Sequence, residues 1–436
     1  MFLEKNKSLQ LVWLVCALGL FIDGYMLYIS SITLPFISHD YSPSDLELGL
    51  IQSSSFIGAT IGAIVVGKIS DKIGRRSLLI FNLCFFIVVA LLSSLAWSVP
   101  ALIAFRFLTG IGVGMDYPIC ASYLTEMSSE KSSGKNLAGA MFANCLASPI
   151  GVLIAWIIFS LHPDMNAWRW MFASCIIPAS IALFIRSKLP ESRMWIEQKK
   201  KENIKDKDFN KYYSLLFTKK YILATILFST TWFLMDIAYY GIGLFTPMIL
   251  NSLDVSTDAN FLTSASSVIK STLYVNIFVV LGAYFAIFAI QKIKNIKLQM
   301  IGFISSFFGL FILAFSNTNN LFINTFIIFT GFIIFNFFIN LGPGITTYSL
   351  PAQFYPTKIR ATGHGFAAGT AKFGAFVGTL FLPILQDKVG IYTTVAIISC
   401  ALLVAFMLSS FIKLIYSKNK NSDVSIEVAE THLINV

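Results

Sequence analysis

In the segment TWFLMDIAYY, Thr231 to Tyr240, a single carboxylate, Asp236, interrupts a long apolar stretch, with Trp232 before it and Tyr240 after it. The i, i+4, i+8 spacing of these three residues puts an indole, an acid and a phenol on one face of a helix. A charge at bilayer depth costs about 3 kcal/mol on insertion scales and more in simulations, so its presence there signals a task. Turned inward, such a face suits gripping a polar solute. Lys372 poses the complementary problem in another apolar segment. A buried ammonium needs an acid or an anionic ligand, and Asp236 is its natural resting partner. An anion inserting between the two would replace the Asp236 charge with its own while Tyr117, Trp232 and Tyr240 supply donors and shape. The alternative is a permanent salt bridge that locks two parts of the chain together.

Asp23, in FIDGYMLY, has no neighbouring base in sequence. A buried acid of that kind suits carriage of a proton and coupling of transport to a proton gradient; pairing with another helix, or exposure to a water-filled cavity, is the alternative. Asp116 precedes Tyr117 and Pro118. Pro118 should bend its helix and free a carbonyl, and Asp116 either handles protons with Asp23 or stabilises the bend by hydrogen bonding. Asp71, Arg75 and Arg76 fall at a membrane edge. Asp71 is expected to cap the N-terminal end of the eleventh span, where the helix dipole favours a carboxylate, and so to hold an outward-open state. Glu126, Glu191, Arg193 and Arg360 are expected to form the same kind of network, and Arg106 to pair with a cavity acid or a helix carbonyl. His364 reads as a helix-start residue at the cytoplasmic edge. Gly58, Gly62, Gly365, Gly369, Gly374 and Gly378 recur at four-residue spacing, which in a membrane means close helix packing. No nucleophile with a base, metal cluster or phosphate-cradling loop emerges, so neither an enzyme nor a metal or other cofactor is expected.

The elements that must position these groups are membrane spans. Of 436 residues, 56% are hydrophobic and 12% charged, against roughly 25% charged in soluble domains. Apolar stretches long enough to cross a roughly 30 Å hydrocarbon core predict twelve helices, near 11–36, 48–69, 77–98, 100–126, 136–161, 167–187, 221–251, 271–292, 297–317, 321–350, 362–385 and 389–417. The first is too long for a signal-peptide core and is expected to remain as a helix. All six cysteines fall inside these spans and read as packing residues. The net charge of +10 does not point to nucleic acid. Lys and Arg collect in alternate loops: Lys68 to Arg76, Lys131 and Lys135, Arg186 to Lys220, Lys292 to Lys297, Lys358 and Arg360, and the tail. By the positive-inside rule both termini are cytoplasmic, most simply in a plasma or inner membrane. The Lys-rich stretch, possibly with one short interfacial helix, separates the bundles, giving an N-terminal six-helix bundle over 1–187, a linker over 188–220, a C-terminal bundle over 221–417 and a tail over 418–436.

The halves resemble one another. Asp23 lies twelve residues before Pro35, and Asp236 eleven before Pro247; GVG at Gly112 to Gly114 answers GPG at Gly342 to Gly344; SDKIGRR answers IQKIKN. Together these support a duplicated six-helix unit with substrate near the midplane between the halves. GKISDKIGRR, from Gly67 through Asp71 and Gly74 to Arg76, resembles the loop signature of the major facilitator superfamily, G-x-x-x-D-[RK]-x-G-[RK]-[RK]. RFLTGIGVG, from Arg106, resembles its fourth-helix motif, and PESRMW, Pro190 to Trp195, the signature after helix six in sugar porters and their relatives. Within the superfamily, GVGMDYPICASYLTE, TWFLMDIAYY and NLGPGITTYSLPAQFYPTKIRATGHGFAAGTAKFGA are similar to the phosphate:proton symporters. That resemblance implies an all-α fold and a phosphate site lined by Tyr117, Trp232, Asp236, Tyr240 and Lys372, with Asp23 matching a proton-linked acid. The chain departs from the pattern at Met26, where a second acid is expected; at Met115, a glycine; at Gly344, the asparagine of G-P-N; and at Cys145, a phosphate-contacting glutamine, beside Asn144.

The solute therefore stays open at this point. A proton-driven importer of phosphate or a related small anion fits Lys372 with Asp23 and Asp236. An importer of a sugar, polyol or organic acid fits the superfamily motifs, with Lys372 then only a charge partner. A nontransporting sensor fits least, because the intramembrane charges and the loop signature are intact. The partners implied are a small solute, protons and the lipid bilayer, with the chain acting as a monomer.

Overall fold

The computed structural model describes residues 2–164, 166–187, 191–201, 209–252, 261–316 and 321–434. Among them every regular element is helical, as backbone polar groups in an apolar medium require. The helices up to the linker are α1 (Phe2–Tyr41), α2 (Asp45–Ile73), α3 (Arg76–Ser94), α4 (Val99–Met127), α5 (Glu130–Leu161), α6 (Ala167–Ser174) and α7 (Ile176–Arg186). Two short helices follow, α8 (Arg193–Lys201) and α9 (Phe209–Leu216). The remainder are α10 (Ile222–Ser252), α11 (Phe261–Lys292), α12 (Asn295–Ala314), α13 (Leu321–Leu341), α14 (Pro343–Phe354), α15 (Arg360–Val389) and α16 (Ile391–Ile434).

Twelve stretches are long and apolar enough to cross a membrane, the number expected from the sequence. Their ends are set by local chemistry. Ser44 and Glu47 form a capping box that starts α2, and Ser98 caps α4 by accepting the Ala101 N–H. The tenth span is broken: Pro343 carries no N–H, Gly342 leaves helical geometry at φ −115°, ψ −89°, and α13 gives way to α14. The sixth span is likewise divided, at Cys175, into α6 and α7. The linker carries two short helices, not one, and α16 runs past residue 417 to Ile434.

The four-residue glycine rows are packing surfaces. Methyl groups on Gly58 and Gly62 of α2 would collide with the carbonyls of Phe107 and Ile111 on α4, and one on Gly374 with the Phe233 carbonyl on α10. A methyl on Gly67 would lie 2.6 Å from the Ala361 carbonyl, so α2 and α15 meet backbone to backbone. On the far side of the molecule α5 packs against α11, where Cys145, Val279 and Ala283 form a small apolar cluster. The central charges lie between these two contacts.

Candidate functional site

Lys372 on α15 donates to Asp236 Oδ2 on α10 at 3.0 Å and to the Tyr240 hydroxyl at 3.1 Å. The ammonium also lies 4.6 Å from the centre of the Tyr117 ring and 4.4 Å from that of Tyr240, two cation–π contacts that replace part of its lost hydration. Lys372 and Asp236 are each about 1% exposed. Desolvation at this level makes the pair worthwhile only if its geometry is good and its extra donors and acceptors are used. Trp232 stands one turn before Asp236 and packs edge-on against Tyr348.

These groups line a small cavity of about 20 Å³ together with Asn144, Cys145, Tyr239, Asn340 and Gly344. α4 and α5 supply one side; α10, α13, α14 and α15 supply the other. The space holds about one water, so a solute of several heavy atoms enters only when the wall opens or the Lys372–Asp236 contact lengthens. Asn144 donates its amide to the Leu20 carbonyl at 2.6 Å, and the Cys145 thiol donates to Asn340 Oδ1 at 3.4 Å. The cavity is closed on both sides. The Tyr28 and Tyr239 hydroxyls are 3.3 Å apart and Ser31 donates to the Leu244 carbonyl, joining α1 to α10. Beyond the opposite face, α2 meets α15.

At that second face lies a charged cluster. Glu126 accepts from Arg75 at 2.8 Å and from the Ser192 hydroxyl, and stands 3.9 Å from Arg360. Glu191 accepts the backbone N–H groups of Arg75 and Arg76 at 3.0 and 3.2 Å, so its carboxylate caps the N-terminal end of α3. Gly74 makes room for it: its φ of +112° suits glycine, and a methyl there would lie 2.5 Å from Glu191 Oε2. Tyr355, next to Arg360, shares a hydrogen with Thr225, and burial pushes its phenol up to about 12. The helices carrying Asp71 and Arg193 are described, but their side chains, and Pro190 altogether, lie outside the described residues.

Other expected residues sit elsewhere. Asp23 is fully buried on α1, outside the cavity lining, and neither of its oxygens has a hydrogen-bond partner among the described residues. Asp116 faces away from the cavity into a salt bridge with Arg186 at 2.7 Å, and accepts from Asn82 at 2.8 Å. Arg186, counted with the linker cations on sequence alone, is fully buried because this acid neutralises it. Arg106 takes the carbonyl option, donating to Met26 at 3.3 Å, and lies 5.9 Å from the Phe172 ring. His364 is also a correction: it is fully buried, bonded to the Tyr348 carbonyl at 3.0 Å and 5.5 Å from the Trp232 ring. Packing against the cavity's own indole keeps it from the membrane edge.

Twelve spans closing from two sides over a buried ion pair define a polytopic membrane carrier of the alternating-access kind. The family model of the Major Facilitator Superfamily matches residues 16–379, and the chain belongs to that superfamily. It is 26% identical to a probable inorganic phosphate transporter 1-8 of Oryza sativa subsp. japonica, covering 86% of this chain and 81% of the relative. It is also 26% identical to inorganic phosphate transporter 1-4 of Arabidopsis thaliana, with 86% and 83% covered. Among solved structures it is similar to the proton:xylose symporter XylE bound to 6-bromo-6-deoxy-D-glucose. The TM-score is 0.79 at 18% identity, with 92% of this chain and 95% of that one covered. A partially occluded inward-open form of the E. coli xylose transporter superposes with a TM-score of 0.73 at 18% identity, covering 92% and 97%. These structural likenesses bear on the fold.

Proposed function

We propose that this carrier imports inorganic phosphate, or a closely related small oxyanion, together with protons. The observation that carries the reading is the Lys372 ammonium, buried at a small cavity between two tyrosine faces and tied by a single carboxylate. An oxyanion takes the place of Asp236 on the ammonium, while Tyr117, Trp232 and Tyr240 donate from the walls. The relatives named as phosphate transporters support the same solute. In this reading Asp23 carries the proton, and residues 1–187 and 221–417 rock against each other about the site, with 188–220 as linker and 418–436 as tail. Gly67, Asp71, Gly74, Arg75, Arg76, Glu126, Glu191, Arg193 and Arg360 form the group that holds one face shut, while Arg106 braces α4 against α1. Basic loops on one side favour cytoplasmic termini in a plasma or inner membrane, and the functional unit is a monomer.

A sugar or polyol is the second reading. It is favoured by Cys145 and Gly344, which leave the cavity fewer side-chain donors than the glutamine and asparagine of the phosphate pattern supply. The discriminating experiment is thermal stabilisation of the purified carrier by phosphate, arsenate, sulfate, xylose and glycerol. Stabilisation by phosphate and arsenate alone supports the anion site; stabilisation by xylose or glycerol without phosphate transfers the assignment to the second reading.

A further inference from the structure

The buried charges left unused by the substrate cavity gather at one point in the first six spans. Arg186 grips both oxygens of Asp116, at 2.7 and 3.3 Å, and donates to the Leu79 carbonyl at 2.8 Å. Asn82 completes the clamp on Asp116. α1 crosses directly over this pair: a methyl group on Gly19 would collide with Arg186 Nη2 and Asp116 Oδ2. Asp23 lies one turn further along α1 on the same face, its Cβ about 6 Å away. Helical side chains lean toward the N-terminus, so the Asp23 carboxylate tilts back toward the guanidinium.

Asp23 has no hydrogen-bond partner among the described residues, and Arg186 Nε has none either. The charged groups acting on Asp23 from neighbouring elements are Asp116 on α4, Arg186 on α7 and Lys372 on α15. Lys372 is committed to Asp236. Arg106 points to the Met26 carbonyl and the Phe172 ring. Arg106 Nε and Nη2 also lack partners among the described residues, but Arg186 is the cation already bonded to one of the two acids, Asp116. A second ionised carboxylate without a counter-charge is costly at this depth, so Asp23, the acid outside the clamp, is the one suited to hold a proton.

We propose that Arg186 is the exchangeable counter-ion of the proton-coupling site. It clamps Asp116 while Asp23 carries the proton, then moves across Gly19 to lie between both carboxylates once Asp23 has released that proton to water. The free Nε–H is the donor the second carboxylate takes. Only the O–H bond of Asp23 breaks, and the shift draws α7 toward α1, which makes proton release a change in helix packing. The inference rests on the proton-coupled reading above and names the residue that transmits it.

The test uses the full-length carrier in proteoliposomes, comparing phosphate accumulation driven by an inward proton gradient with phosphate counterflow. The charge-neutral double variant Asp116→Asn/Arg186→Gln should keep counterflow within about threefold of the parent while its accumulation ratio falls at least tenfold. The pH profile of turnover should shift, because Asp23 then exchanges its proton without the ion pair that faces it. Arg186→Lys, which retains a charge, should keep accumulation within about threefold. Parental accumulation in the double variant would overturn the proposal, as would equal loss of accumulation and counterflow with an unmoved pH profile. Loss of accumulation in Arg106→Gln alone, with the double variant intact, would hand the role to Arg106. If the parent itself exchanges phosphate but never accumulates it with a proton gradient, the proton-coupled reading fails, and this inference falls with it on a result of its own.

Discussion

Lys372→Ala, set beside the charge-neutral double variant Asp236→Asn/Lys372→Met, separates a substrate site from a structural lock. The ammonium sits 3.0 Å from Asp236 Oδ2, and the two side chains are 2% and 1% exposed. Removing the ammonium alone leaves a buried carboxylate without a counter-charge, at a cost of about 3–5 kcal/mol. The apparent Tm of the purified carrier should fall by several degrees. In the double variant both charges are gone and a flexible thioether fills the lysine's path, so most of the stability returns. Anion affinity does not return. Loss of an ammonium–oxyanion contact in a water-excluding site costs about 2–5 kcal/mol, which is about 30-fold or more in Kd. The assay is a pair of measurements on the same detergent preparation: Tm by scanning fluorescence and Kd for labelled phosphate by equilibrium binding. A double variant with parental Tm and parental Kd would refute the reasoning, because the pair would then be a fastener with no part in binding.

Asp23→Asn, a fixed mimic of the protonated acid, should lose accumulation driven by a proton gradient and keep counterflow in phosphate-loaded vesicles; parental accumulation would remove Asp23 as the carrier. Glu126→Gln weakens the Arg75 contact at 2.8 Å and the longer approach to Arg360, so turnover should change severalfold with Kd within about threefold, measured by uptake and binding in parallel. Gly67→Leu places a bulky side chain where a methyl would already lie 2.6 Å from the Ala361 carbonyl. That face should no longer close, and transport should fall by at least tenfold in a carrier that still inserts and purifies. Cys145 lines the cavity, so saturating phosphate should slow its alkylation by a small maleimide severalfold.

Much of this arrangement was legible because a lone charge in an apolar run is a local signal. The spans, Asp236, Lys372 and their aromatic neighbours could be read from spacing and from the cost of burying charge. Arg186 could not. It ends an apolar span, where a positive-inside residue belongs, and its partner Asp116 is 70 residues away; nothing in the charge pattern says whether such a side chain turns inward. Asn82 carried a weak signal, an amide in the middle of IFNLCFF. His364 was misread for a related reason: its position near the start of α15 suggests an edge, but Trp232 and Tyr348, from two other helices, enclose it. The capping of α3 by Glu191 depends on how the chain returns after α7, which local pattern does not encode. The break at Pro343 was foreshadowed by GPG, and the one at Cys175 by Pro178, which has no N–H to give the Ser174 carbonyl.

The most direct measurement of the central claim is simultaneous recording of labelled phosphate uptake and internal acidification in proteoliposomes containing the parent carrier, under an inward proton gradient. The account predicts phosphate accumulation above the external concentration, acidification that starts only when phosphate is added, abolition of both by Lys372→Ala, and competition by arsenate but not by xylose. Phosphate uptake that merely equilibrates, or acidification triggered by xylose and not by phosphate, would contradict it.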